Sequence, residues 1–91
     1  MNISNNNNPF SIKNKSALIL GGNGLIGKEI CNLFIKSSCK VYNLDIESSL
    51  KNKNNYKFYY FDIKDDKYLE NNFSKILKKI KNIDIFVNCS F

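Results

Sequence analysis

Ninety-one residues allow one small domain, and a chain of this size buries only roughly 60–65% of its unfolded surface. The net charge of +6 comes from lysine alone, without Arg, and Asn is as abundant as Lys, a pairing that reads as AT-rich codon drift rather than a selected nucleic-acid face. No run of 18 apolar residues and no charged-then-apolar leader is present, so neither a membrane span nor an export signal is expected.

Residues 1–9 form an Asn-rich polar tail with too little apolar surface to offset its ordering entropy, and disorder is expected there. Ser16-Ala17-Leu18-Ile19-Leu20 reads as the first strand. Gly21-Gly22-Asn23-Gly24-Leu25-Ile26-Gly27 follows it and opens an amphipathic helix over 25–37, with Ile26, Ile30, Leu33 and Phe34 on one face. Strand, glycine turn and helix in that order predict the phosphate-binding turn of a dinucleotide fold. Gly21 supplies positive φ for a sharp turn. Gly24, lacking Cβ, lets backbone approach a pyrophosphate, and Gly27 lets the first helical turn pack closely. Free N–H groups at the helix start, aided by its dipole, favour the anion.

Lys40-Val41-Tyr42-Asn43-Leu44 reads as a second strand ending at Asp45, 18 residues after Gly27. A carboxylate roughly 20 residues beyond the glycines accepts from ribose hydroxyls. It would also repel a 2′-phosphate, by roughly 4 kcal/mol per unit charge pair at about 4 Å and intermediate dielectric. No Lys lies within 21–27 to offset that repulsion, so NAD is expected over NADP. Residues 47–55 are polar and read as a loop. A third strand is predicted over 57–61, aromatic after Lys57 and expected to be covered on both faces. Asp65 and Asp66 are candidate caps for a second helix over 67–81, with Leu69, Phe73, Ile76, Leu77 and Ile80 as its stripe and Lys75, Lys78, Lys79 and Lys81 on its solvated side. Ile83-Asp84-Ile85-Phe86-Val87 reads as the fourth strand.

Parallel strands with right-handed crossovers give the order 3-2-1-4, a Rossmann-like α/β sheet with the two helices on opposite faces. Strand four is apolar yet lies at an edge, which predicts a truncated doubly wound fold: 1–12 as tail and lead-in, 13–91 as a partial dinucleotide-binding domain. Cys31, Cys39 and Cys89 are odd in number, lack CxxC spacing and have no His beside them. They read as small buried thiols of a reduced cytoplasmic protein, with no metal site.

These residues resemble the short-chain dehydrogenase/reductase family over about 10–91. Residues 10–15 are similar to its lead-in. The turn over 20–27 is similar to its Thr-Gly-x-x-x-Gly-x-Gly signature, with Leu20 in place of Thr, Leu25 in place of the middle Gly, and Gly24 one place earlier. That phase is closer to the extended, nucleotide-sugar epimerase or dehydratase branch. The lead-in, and Asp84 to Val87 before Asn88, are closer to the branch without the extension. The resemblance implies hydride transfer between NAD and a hydroxyl or carbonyl carbon. It places Gly21, Asn23, Gly24, Leu25, Ile26, Gly27, Asp45 and Ile46 at the cofactor, Asp62 and Ile63 beside the adenine, and Asn88, Cys89 and Ser90 where Asn-Asn-Ala-Gly is usual. The family's catalytic Ser and helical Tyr-x-x-x-Lys belong beyond strand four, so no catalytic residue is expected within the chain. Tyr60 and Lys64 match the spacing but span a strand end, where residues four apart are not neighbours. The expectation is the cofactor-binding part of an oxidoreductase, completed by a C-terminal half or by self-association through strand four. A stand-alone nucleotide- or partner-binding module and a non-functional remnant are the alternatives.

Overall fold

The computed structural model describes residues 11–65, 67 and 69–90. The tail predicted over 1–9, the candidate cap Asp66 and the terminal Phe91 lie outside the described residues. In chain order the elements are β1 (Ser16–Leu20), α1 (Leu25–Lys36), β2 (Lys40–Asp45), β3 (Tyr56–Tyr60), α2 (Leu69–Lys79) and β4 (Ile85–Asn88). The strands form one parallel sheet in the order β3-β2-β1-β4. Two crossovers of the same hand in opposite directions along the sheet leave the helices on opposite faces.

Alternation along the central strands feeds two cores. Leu18, Leu20, Tyr42 and Leu44 point to the α2 side and meet Phe61, Ile76 and Ile80. Ile19 and Val41 point to the α1 side and meet Cys31 and Tyr56. Continuous apolar runs in β1 and β2 follow from burial on both faces. Helix α1 ends at Ser37 with Ser38 at φ 62, and Cys39 N–H bonds Phe34 O at 2.9 Å while Ser38 N–H bonds Ile35 O at 3.1 Å. This left-handed stop turns the chain directly into β2.

Several boundaries and faces differ from the sequence reading. Strand β3 runs one residue earlier than 57–61, because its parallel register pairs Tyr56 with Val41 and Tyr60 with Asp45. It forms the other sheet edge, so Tyr60 is 65% exposed rather than covered on both faces. Helix α2 is shorter than 67–81, starting four residues after Asp65 rather than directly beyond it. Strand β4 begins at Ile85, because the Asp84 carboxylate caps the sheet by accepting from Ser16 N–H at 2.8 Å. On α1 the buried face is Gly27 and Cys31, with Ile30 and Phe34 half-buried against it. Ile26 and Leu33 are exposed. The small Gly27 and Cys31 let the helix axis approach the sheet, and this rotates Ile26 and Leu33 outward. No helix among the described residues is long and apolar enough to cross a membrane.

Candidate dinucleotide site

All four strands end at the same edge of the sheet, and the turn over 21–24 connects β1 to α1 there. Strand order reverses between β1 and β4, which is where ligands enter open α/β sheets. Three of the four glycines in the turn are required by the protein itself. Gly21 has φ +78, and a Cβ on it would lie 2.9 Å from Ser90 N. A Cβ on Gly22 would strike the Asn43 side chain and sit 2.9 Å from Cys31 Sγ. A Cβ on Gly27 would strike the Gly21 carbonyl oxygen and lie 2.8 Å from Gly22 Cα.

Gly24 differs. Its backbone is extended, with φ −71 and ψ 173, a conformation open to any residue. A Cβ there would meet only Gly21 O, at 3.6 Å, so nothing inside the protein requires glycine. Gly24 is also the N-cap of α1, supplies no side-chain cap, and no acidic residue lies in the first turn. The first-turn N–H groups of Leu25, Ile26 and Gly27 have no intrahelical acceptor. The positive end of this helix faces a space kept clear by the absent Cβ, which is the arrangement an anion fills. Leu25 and Ile26 expose their side chains, so their backbone N–H groups are what they offer an anion.

Asp45 closes β2 beside the turn. Its Oδ2 accepts from Asn23 N–H at 2.9 Å and its Oδ1 from Ile46 N–H at 2.7 Å. Each oxygen keeps a lone pair, so the carboxylate can still accept from a diol. Asn23 points its side chain sideways, with Oδ1 accepting from Ser49 N–H at 2.9 Å. Next to Asp45 lies a hollow of about 250 Å³ whose walls include Gly21, Asp45, Ile46, Asp62, Ile63 and Ser90. That is below the roughly 300–1,000 Å³ of a pocket enclosing a whole small molecule, and it suits one end of an extended ligand. Asp62 sits two residues past β3, where its Oδ1 accepts from Lys64 N–H at 2.9 Å. Asn88 ends β4, and its Oδ1 accepts from Ser90 N–H at 3.0 Å and from Ser90 Oγ at 2.6 Å, turning the chain toward Gly21.

The structure thus brings Gly21, Gly24, Asp45, Ile46, Asp62, Ile63 and Ser90 to one rim. Cys89 is half-buried: its side chain packs against the α1-side core, and its backbone lies beside Gly21. Tyr60 ends β3 and Lys64 lies in the turn beyond it, so they share no helix face. The sequence reading missed Asn43 and Gly22. Asn43 is 1% exposed and accepts from Gly22 N–H at 2.8 Å. A polar residue inside the otherwise apolar run of β2 was the available signal.

Burial pushes the Cys31 thiol up from near 9 to about 11, with Cys89 and Asp45 adding in the same direction. Cys39 and Cys89 are also raised by burial. The folded thiol holds its proton at pH values where the unfolded one, near 8.5, has lost it. The thiol's contribution to stability is therefore full below about pH 8.5 and is lost as pH rises toward 11. At pH 8.5 we expect iodoacetamide to label Cys31 far more slowly in the folded chain than in urea. Equal rates would show the thiol to be open. Among the described residues no group of three or more His, Cys, Asp and Glu side chains is placed to hold a metal ion.

A family model described as short chain dehydrogenase matches residues 15–90. The chain belongs to the short-chain dehydrogenase family. It is 41% identical over 81 residues to the bifunctional polymyxin resistance protein ArnA of Wigglesworthia glossinidia brevipalpis, covering 85% of this chain and 12% of that protein. Among solved structures it is similar to a short chain dehydrogenase from Leptospira borgpetersenii with bound NAD+, at 31% identity and a TM-score of 0.73, covering 87% of this chain and 32% of the other. It is also similar to Cj0485 dehydrogenase, at 25% identity and a TM-score of 0.71, covering 97% and 34%. An epimerase, Mth375 of Methanothermobacter thermautotrophicus, shares the fold at 22% identity and a TM-score of 0.66, covering 98% and 24%. The chain spans about an eighth of the curated relative's length and a quarter to a third of the solved structures.

Proposed function

We propose that the chain is the NAD-binding N-terminal portion of a short-chain dehydrogenase/reductase-type oxidoreductase. The observation that carries this reading is Gly24: a glycine with no internal reason to be one, at an uncapped helix start, facing open space. The bound NAD+ of the Leptospira relative supports the choice of ligand. The pyrophosphate lies against the N–H groups of Leu25, Ile26 and Gly27. Asp45 takes the adenosine ribose, and the hollow between Ile46, Asp62 and Ile63 takes the adenine. Asn88 and Ser90 border the path toward the nicotinamide end. When bound, the cofactor supplies hydride exchange with a hydroxyl or carbonyl carbon. These 91 residues supply binding and orientation, with no helical Tyr-x-x-x-Lys to relay a proton. Phe86, exposed on edge strand β4, and Ile83, exposed just before that strand, fit pairing with a further strand, from a C-terminal half or a second copy.

Calorimetric titration of the chain with NAD, alongside NADH turnover against a panel of alcohols and carbonyls, tests the reading. Saturable binding without turnover is expected. Absence of binding by folded protein would refute it. Turnover lost on Tyr60→Phe would show that the dismissed Tyr60–Lys64 pair is catalytic.

A further inference from the structure

Behind the glycine turn runs a chain of side-chain hydrogen bonds that the site as described does not use. Gly22 N–H donates to Asn43 Oδ1 at 2.8 Å, and Asn43 Nδ2 donates to the Tyr56 hydroxyl at 2.9 Å. Tyr56 and Ser48 share a hydrogen bond of 2.7 Å, and Ser48 Oγ donates to Leu50 O at 2.9 Å. Because the Ser48 proton goes to Leu50, Tyr56 is the donor to Ser48. These four donations run in one sense, from the turn to the loop that follows Asp45, where Leu50 N–H donates back to Ser48 Oγ at 3.1 Å, and bonds in such a chain polarise one another. Asn43 and Tyr56 are each 1% exposed. A buried amide in the middle of a parallel strand is costly unless its partners are fixed, and an aliphatic residue is the ordinary choice there. Asn43 directs both ends of its amide into this chain.

We infer that Asn43 and Tyr56 are positioning residues for the dinucleotide: a buried strut that holds the pyrophosphate turn at Gly22 and the ribose-side loop at Ser48 and Leu50 as one rigid unit. The inference rests on the NAD-binding reading. A ligand spanning both ends gains from their fixed separation, because neither end must be ordered on binding. A ligand touching only the ribose end gains nothing from it.

The test compares wild type, Tyr56→Phe and Ser48→Ala. Tyr56→Phe keeps the ring volume, and Ser48 is only half-buried, so loss of folding does not confuse the result. Amide hydrogen exchange is read without ligand, and calorimetry with NAD and with adenosine. In both variants the Gly22 amide should exchange roughly tenfold faster, as for loss of about one net hydrogen bond, while Leu18 and Val41 keep their rates. NAD affinity should fall by a similar factor and adenosine affinity should stay. Ser48→Ala is the stricter arm, since Ser48 does not touch Gly22 and a purely local role would move only Leu50. Unchanged Gly22 exchange overturns the strut, as does a parallel loss of NAD, adenosine and thermal stability. NAD bound equally by wild type and both variants overturns this role alone. Wild type that takes no NAD overturns the function reading together with it.

Discussion

Gly24→Val is expected to leave the chain folded and to weaken NAD binding by at least about a hundredfold, a loss of roughly 2.8 kcal/mol or more. The backbone at Gly24 suits valine, and its first Cβ contact inside the protein is an ordinary 3.6 Å to Gly21 O. The added methyl groups would instead fill the space in front of the α1 N-terminus. Gly27→Ala is expected to do the reverse. Its Cβ meets backbone on both sides, the Gly21 carbonyl and Gly22 Cα, and backbone cannot rotate away as a side chain can. Overpacking of this kind costs about 1–3 kcal/mol or more, a large share of the roughly 5–14 kcal/mol that holds a chain of this size. Circular dichroism melts and NAD calorimetry on both variants separate the two roles. A Gly24→Val protein with wild-type affinity would remove the main support for a phosphate at this turn.

Asp45→Ala is expected to narrow the preference for NAD over NADP by at least about tenfold. The carboxylate repels a 2′-phosphate by up to roughly 4 kcal/mol at intermediate dielectric, and no lysine stands within residues 21–27 to offset it. The same substitution removes the acceptor of Asn23 N–H, so both affinities fall somewhat and the ratio carries the information. Asp45→Asn, which keeps an acceptor and removes the charge, should narrow the ratio with less loss of NAD affinity. Paired titrations with the two cofactors decide it. An unchanged ratio in both variants would mean that Asp45 points away from the ribose.

The order of elements and the 3-2-1-4 sheet were legible because each signal is local: an apolar run, a glycine turn, a period of 3.6. Edges were less so. Strand β3 slipped by one residue because the four consecutive aromatics over 58–61 carry no alternation, and only its register against Val41 and Asp45 fixes which ones face inward. The outward turn of Ile26 and Leu33 was hidden for a related reason. Apolar periodicity marks a face, but the small residues Gly27 and Cys31 decide which face sits against the sheet. At the site, the spacing of glycines announced the turn without dividing its labour. That Gly22 and Gly27 serve packing while Gly24 faces open space depends on Asn43, Cys31 and Gly21, which are distant or backbone contacts.

A dinucleotide bound as proposed crosses the carboxyl ends of the strands with its pyrophosphate at the start of α1. An amide-resolved NMR titration of the chain with NAD tests it most directly. Saturable shifts are expected at Gly24, Leu25, Ile26 and Gly27, continuing through Asp45 and Ile46 to Asp62 and Ile63, with the opposite sheet edge at Ser16, Lys40 and Lys57 unmoved. Shifts centred on that lysine-bearing edge, or none at the glycine turn at saturating NAD, would contradict it.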